Sequence, residues 1–236
     1  MERSTQLAAP ARRMIGALSD RALLDAPGVV WRSGLLHVTD ACRLSQETAQ
    51  GPVVVDLPDD MQRAIPKRRS EYLAGRACAV LALRALNAPE VVARSGRAPV
   101  WPAGIAGSIT HTDHRVVAVA ARDIRGIGVD LEPLMSPRTV AEVGHLLLSP
   151  ADHAQRPAGM DVARFCTLVF SAKEATYKAL SPQLADIPDF HEAQVAALTP
   201  LHLTIAFRGW RIPVLHGVDD GDCVTLALLP KGEMPV

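Results

Sequence analysis

Four side chains in two short segments have the types and spacing to work on a hard cation and a phosphate. In Ile127-Gly128-Val129-Asp130-Leu131-Glu132 the residue types alternate. An extended chain sends successive side chains to opposite faces, so Ile127, Val129 and Leu131 point one way and Gly128, Asp130 and Glu132 the other. Two carboxylates on one strand face can converge on an ion that prefers oxygen ligands. The same alternation also describes a half-buried edge strand with solvated acids. The second segment, 170–180 (FSAKEATYKAL), reads as helix. Phe170, Glu174 and Tyr177 share one side of it, and Lys178 follows Glu174 by four residues. As a surface pair Glu174–Lys178 would be worth about 0.3–0.5 kcal/mol. As a functional pair, Glu174 would join Asp130 and Glu132 at an ion, with lysines facing a phosphate. Spacing alone leaves both open.

The elements that must position these residues can be traced on either side. A strand is expected over 51–57 (GPVVVDL), then a helix over about 66–86. Pro66 suits a first helical turn, where its missing N–H costs nothing. Tyr72, Leu73, Val80, Leu83 and Leu86 supply that helix with an apolar face. A connection through Pro99, Pro102, Gly104 and Gly107 follows. Strands over 115–121 and 127–132, separated by a short polar turn, are placed to pair as a hairpin. Pro150 opens a short helix, and a longer one runs from about Asp161 to Leu180. After a loop marked by Pro182 and Pro188, the segments 201–207, 211–215 and 223–229 alternate as antiparallel strands, with turns at Arg208-Gly209 and 219–222. Both halves mix helix with short strands, so the expected class is α+β, with a boundary near 121–126.

Composition narrows the function classes. The 236 residues can form one large domain or two small ones. A net charge of zero argues against a nucleic-acid binder, which needs an excess of Lys and Arg. Cys42, Cys78, Cys166 and Cys223 have no metal-type or disulfide-framework spacing, which suits a reducing compartment. The first residues carry no apolar leader core, and no apolar run approaches the roughly 20 residues of a membrane span. A cytoplasmic protein without membrane attachment is expected.

Four segments in order, 67–76 (KRRSEYLAGR), 101–112 (WPAGIAGSITHT), 128–132 (GVDLE) and 170–178 (FSAKEATYK), resemble the signatures of the Sfp/EntD-type 4′-phosphopantetheinyl transferases, the last with Phe170 where the family often has Trp. The basic segment is similar to that of the EntD-like branch. The resemblance implies a pseudo-twofold pair of similar α+β halves. Residues 1–122 would carry the basic nucleotide-binding helix and residues 123–236 the metal-binding carboxylates. It implies transfer of 4′-phosphopantetheine from coenzyme A to a serine of an apo acyl or peptidyl carrier protein, releasing 3′,5′-ADP, for siderophore, polyketide or nonribosomal peptide synthesis. Asp130, Glu132 and Glu174 would hold Mg2+. His111, beside Thr110, would contact the phosphates. Arg68 and Arg76 would hold the nucleotide end with Arg97 or Arg94, although Arg69 competes with Arg68 for that place. Lys178, and with it Lys173, would neutralise the diphosphate. Glu174, directly or through a water, would take the serine proton. Arg122, Arg125 and Arg138 are candidates for steering the carrier, and this branch implies a monomer. The rival readings are a metal-dependent phosphohydrolase of coenzyme A-like nucleotides and a non-catalytic coenzyme A-binding scaffold.

Overall fold

Two antiparallel sheets, each backed by one long helix, make up the α+β architecture of a computed structural model that describes residues 14–96, 98–184, 186 and 188–232. Arg97 and the first 13 residues lie outside the described residues. In the N-terminal half the strands are β1 (Ile15–Ser19), β2 (Val29–Leu36), β3 (Arg43–Thr48), β4 (Gly51–Asp56), β5 (Ala93–Ser95), β6 (Ala98–Val100), β7 (Ile105–His111) and β8 (Arg115–Arg122). Helix α1 (Pro66–Ala85) falls between β4 and β5. The C-terminal half holds β9 (Ile124–Pro133), α2 (Pro137–Leu147), α3 (Pro150–Ala154), α4 (Val162–Leu180), β10 (Gln194–Leu198), β11 (His202–Phe207), β12 (Trp210–Asp219) and β13 (Asp222–Pro230). The main sheets run β1-β2-β8-β7 and β10-β11-β12-β13-β9, with β3-β4 and β5-β6 as separate hairpins.

Helix α1 differs from the one-faced helix its apolar residues suggest. Ser70, Glu71 and every residue from Leu73 to Leu83 are buried, because strands and hairpins enclose it. Its small residues permit that enclosure, and Leu73, Ala77 and Leu81 pack with Ile15, Leu36, Val116 and Ala118. Helix α4 starts where Asp161 accepts hydrogen bonds from the amides of Ala163 and Arg164, a cap worth about 1 kcal/mol. Its inner face joins Phe207, Ile212 and Val214 in a second core.

A third core lies between the sheets, where Trp31, Val117 and Val119 meet Ile127, Val129, Leu131, Val224 and Leu226. The alternation in β9 therefore falls as expected: its apolar face covers the N-terminal sheet, and Gly128 faces α4. The expected β8–β9 hairpin does not form. β8 is hydrogen-bonded on both edges, by β2 and β7, so it has no backbone groups left for β9. Asp123, at φ 58°, turns the chain out of the first sheet, and β9 pairs with β13 instead.

The halves are also clasped by charge. Arg115 of β8 is buried and donates to the side chain and carbonyl of Asp219 at 2.7 and 3.1 Å, with Asp222 at 3.5 Å, both acids on the β12–β13 hairpin. His114 lies 3.6 Å from Asp222, and Arg21 also donates to Asp219. All four cysteines are free thiols, and among the described residues no helix is long and apolar enough to cross a membrane.

Candidate active site

The site is built where α4 lies directly on β9. A Cβ added at Gly128 would stand 1.8 Å from the carbonyl oxygen of Ala175, and one at Gly126 would stand 2.1 Å from that of Ala179. Glycine is required here for close approach of backbone to backbone. That contact sets Asp130, two residues on, against the α4 residues Ser171 and Lys178.

Asp130 is 3% exposed and fully partnered. Lys178 Nζ donates to its Oδ1 at 2.6 Å, and Thr110 Oγ1 does so at 3.3 Å from β7. Ser171 Oγ donates to Oδ2 at 2.8 Å. Ser171 is itself fixed by Thr225, which faces Asp130 across the β13–β9 ladder and donates to the Ser171 carbonyl at 2.9 Å. Lys178 also donates to the Val129 carbonyl at 3.2 Å.

Glu132 and Glu174 border this cluster half-buried. Burial, then the charge of Asp130, pushes the Glu132 carboxyl up to about 7, with Glu174 and Asp222 adding and Lys178 opposing. Burial raises Glu174 as well, against Lys178 and with Asp130. Crowded acids with a single nearby lysine make a local surplus of negative charge and of hard oxygen donors. That donor chemistry fits a divalent cation of the Mg2+ type. Among the described residues, no three His, Cys, Asp or Glu side chains stand as a ready-made metal group. Lys178 sits instead as the counterion of Asp130.

Beside this cluster lie the end of β7, which carries Thr110 and His111, and the start of α1. His111 Nε2 lies 3.7 Å from Glu71, and Arg68 Nη1 donates to the same carboxylate at 3.4 Å. Burial lowers the His111 pKa, Glu71 opposes this, and Arg68, Lys178 and Lys67 reinforce it. Lys67 is paired to Asp113 at 2.6 Å. A cavity of about 390 Å3 is lined by Glu71, His111 and Glu132, and another of about 500 Å3 by Trp101, Glu174 and Lys178.

The remaining expected residues separate into distinct environments. Arg76 is buried in the N-terminal half, its guanidinium 5.0 Å over the Tyr72 ring and donating to the Ala93 carbonyl at 3.4 Å. Its buried Nε has no partner. Arg69 turns to Asp40, at 2.9 Å, and to the Gln62 carbonyl, which leaves Arg68 on the His111 side. Arg94 is paired with Asp60. Lys173 is a correction: it is 0% exposed, and its ammonium donates to Asp152, the Leu147 carbonyl and the Phe190 carbonyl at 2.8, 2.8 and 2.9 Å. Its three protons are occupied in the core, so it faces no phosphate. Arg122 donates to the carbonyls of Leu86 and Asn87 at the end of α1, Arg125 lies over Trp210, and Arg138 pairs with Glu142.

Sequence reasoning missed Glu71, Ser171 and Thr225. Ser171 lay inside a quoted motif, and Thr225 was a polar residue in an otherwise apolar strand. Glu71 was masked by the basic residues around it.

Two sequence-family models match the chain. One, described as the 4′-phosphopantetheinyl transferase N-terminal domain, covers residues 57–121, and the other, the 4′-phosphopantetheinyl transferase superfamily, covers residues 126–217. Among curated relatives, the enterobactin synthase component D of Salmonella austin is 35% identical over 147 residues, 62% of each chain. That of Escherichia coli O157:H7 is 41% identical over 121 residues, 50% of this chain and 58% of the relative. The 4′-phosphopantetheinyl transferase PptT of Mycobacterium tuberculosis is 35% identical over 153 residues, 61% of this chain and 66% of the relative. The match thus spans roughly three-fifths of these relatives' length. With both family models falling in order on the two halves that build the cleft, the chain belongs to the 4′-phosphopantetheinyl transferase superfamily.

Proposed function

We propose that this protein transfers 4′-phosphopantetheine from coenzyme A to a serine hydroxyl of an apo acyl or peptidyl carrier protein, releasing 3′,5′-ADP. The observations that support the reading are the buried Asp130–Lys178 pair, a cavity that Glu132 shares with His111, and a second cavity lined by Glu174 and Lys178. Acids that suit a divalent ion, faced by cations that suit phosphate, are the parts phosphoryl transfer requires.

Asp130, Glu132 and Glu174 would hold Mg2+, which when bound supplies charge stabilisation to the diphosphate. Lys178 sets a fixed positive charge, and His111 an imidazole N–H, where negative charge builds on the leaving phosphate. The serine oxygen forms the new bond to phosphorus as the bond to the 3′,5′-ADP oxygen breaks. The serine proton passes to Glu174, directly or through a water, and the raised pKa of its half-buried carboxyl suits a base. Arg68 and Arg76, with Arg97, take the nucleotide end.

On this reading residues 1–122 supply the nucleotide-binding unit and 123–236 the acid unit. The protein acts as a cytoplasmic monomer without nucleic-acid or membrane partners, and its charged surface near Arg122, Arg125 and Arg138 meets the carrier. The likeness to enterobactin synthase component D favours carriers of siderophore assembly.

The test is the intact mass of apo carrier proteins incubated with coenzyme A, Mg2+ and this protein. A gain of one phosphopantetheine is expected on at least one acyl or peptidyl carrier. No gain on any carrier at enzyme excess would sink the reading, and coenzyme A cleavage without a carrier would point to a phosphohydrolase.

A further inference from the structure

The basic first turn of α1 leads into a buried acid. Glu71 is 8% exposed, a burial that an ionised carboxylate tolerates only with partners. Its partners are Arg68 at 3.4 Å and His111 Nε2 at 3.7 Å, two residues assigned above to coenzyme A. A carboxylate is a poor ligand for phosphate, so Glu71 serves the anion site through its neighbours. It reaches His111 from a different element, α1 against the end of β7, and both line the cavity that also contains Glu132.

We propose that Glu71 is the positioning residue of His111: its carboxylate, 3.7 Å behind Nε2, biases the ring's charge and orientation, so that the imidazole meets the phosphate with a balancing charge behind it. This rests on the transferase reading of the cleft. The charged surroundings of His111 support it. Arg68 and Lys67 from α1 and Lys178 from α4 all disfavour a proton on the ring, as does burial. Asp113, on the β7–β8 turn, is tied to Lys67, and Glu71 is the carboxylate that opposes those cations at the ring itself. A carboxylate behind an imidazole favours its cation.

The experiment is a double-mutant cycle on the full chain with Glu71→Gln, His111→Ala and both together. Transfer from coenzyme A is read as kcat/KM, and the His111 ring is titrated by NMR without substrate. Glu71→Gln is expected to lower kcat/KM about tenfold when His111 is present and less than twofold when it is absent. The His111 titration midpoint should fall, and Glu71→Asp, which keeps the charge, should restore part of it. Equal losses in both backgrounds, or a His111 midpoint that none of the Glu71 variants moves, would overturn the proposal. If the wild-type chain transfers nothing, the NMR midpoint still decides the role of Glu71, and it is the transferase reading that has failed.

Discussion

In the free protein both oxygens of Asp130 are occupied, one by Lys178 and Thr110 and the other by Ser171. Burial, then the charge of Asp130, raises the nearby Glu132 to a pKa of about 7 against the opposing charge of Lys178. The consequence for stability has a definite sign. The folded pKa lies above the ordinary carboxylate value, so the folded state binds the proton more tightly than the unfolded one. Stability contributed at this residue is therefore lost as pH rises from about 4.5 to about 7, and the penalty is fully present above that. In chelator-treated protein, Glu132→Gln should gain stability relative to wild type as pH goes from 5 to 8, read by urea unfolding at each pH. Mg2+ should narrow that difference at pH 8 if the acids hold the ion. A difference that does not grow with pH would show that Glu132 keeps an ordinary carboxylate pKa.

At the scale of elements, α4 presents different residues to the core and to the cleft. Lys173 and Glu174 are adjacent in sequence, yet a helix turns about 100° per residue, which sends them to different surroundings. Lys173 reaches Asp152, which also accepts from the Ser149 amide at 2.8 Å in the capping box of α3 and from the Val195 amide at 2.6 Å. Removing one partner of such a buried pair leaves the other charged and uncompensated. Lys173→Met should therefore cost about 3–5 kcal/mol in chemical denaturation, with the remaining folded enzyme turning over normally. Gly128→Ala should also destabilise, by about 3 kcal/mol or more, because its methyl would collide with the Ala175 carbonyl rather than with a movable side chain. A retained melting temperature would mean that α4 can lift off β9. The alternation of β9 and the ends of α1 and α4 were legible in the sequence because they rest on local periodicity and caps. The partner of Lys173 was not, because nothing local marks an acid 21 residues upstream as its core partner. The β8–β9 hairpin was misread for a related reason: proximity favours pairing of neighbours, but β2 and β7 had already claimed both edges of β8.

At the scale of the molecule, the site is assembled from two halves, each with its own helix-backed core and joined by a shared apolar layer. The Arg115 clasp ties the first sheet to the hairpin that carries Asp222, and Asp222 pairs with Pro133, the neighbour of Glu132. Arg115→Ala would leave buried Asp222 with His114 at 3.6 Å and Asp219 with Arg21, a loss of about 3 kcal/mol. Because the clasp sets how the halves meet, KM for coenzyme A should rise more than kcat falls. Steady-state kinetics at saturating carrier would check this, and an unchanged KM would confine Arg115 to stability alone.

The contact of Gly126 and Gly128 with α4 works as a fixed gauge. It sets the interval between the strand acids and the helix acid by main-chain contact, which a side chain added at either glycine would wedge apart. If Asp130, Glu132 and Glu174 hold an ion as proposed, tuning of their grip falls to the hydroxyls around Asp130, those of Thr110 and Ser171. On that proposal, those two positions can change ion preference while the frame stays still.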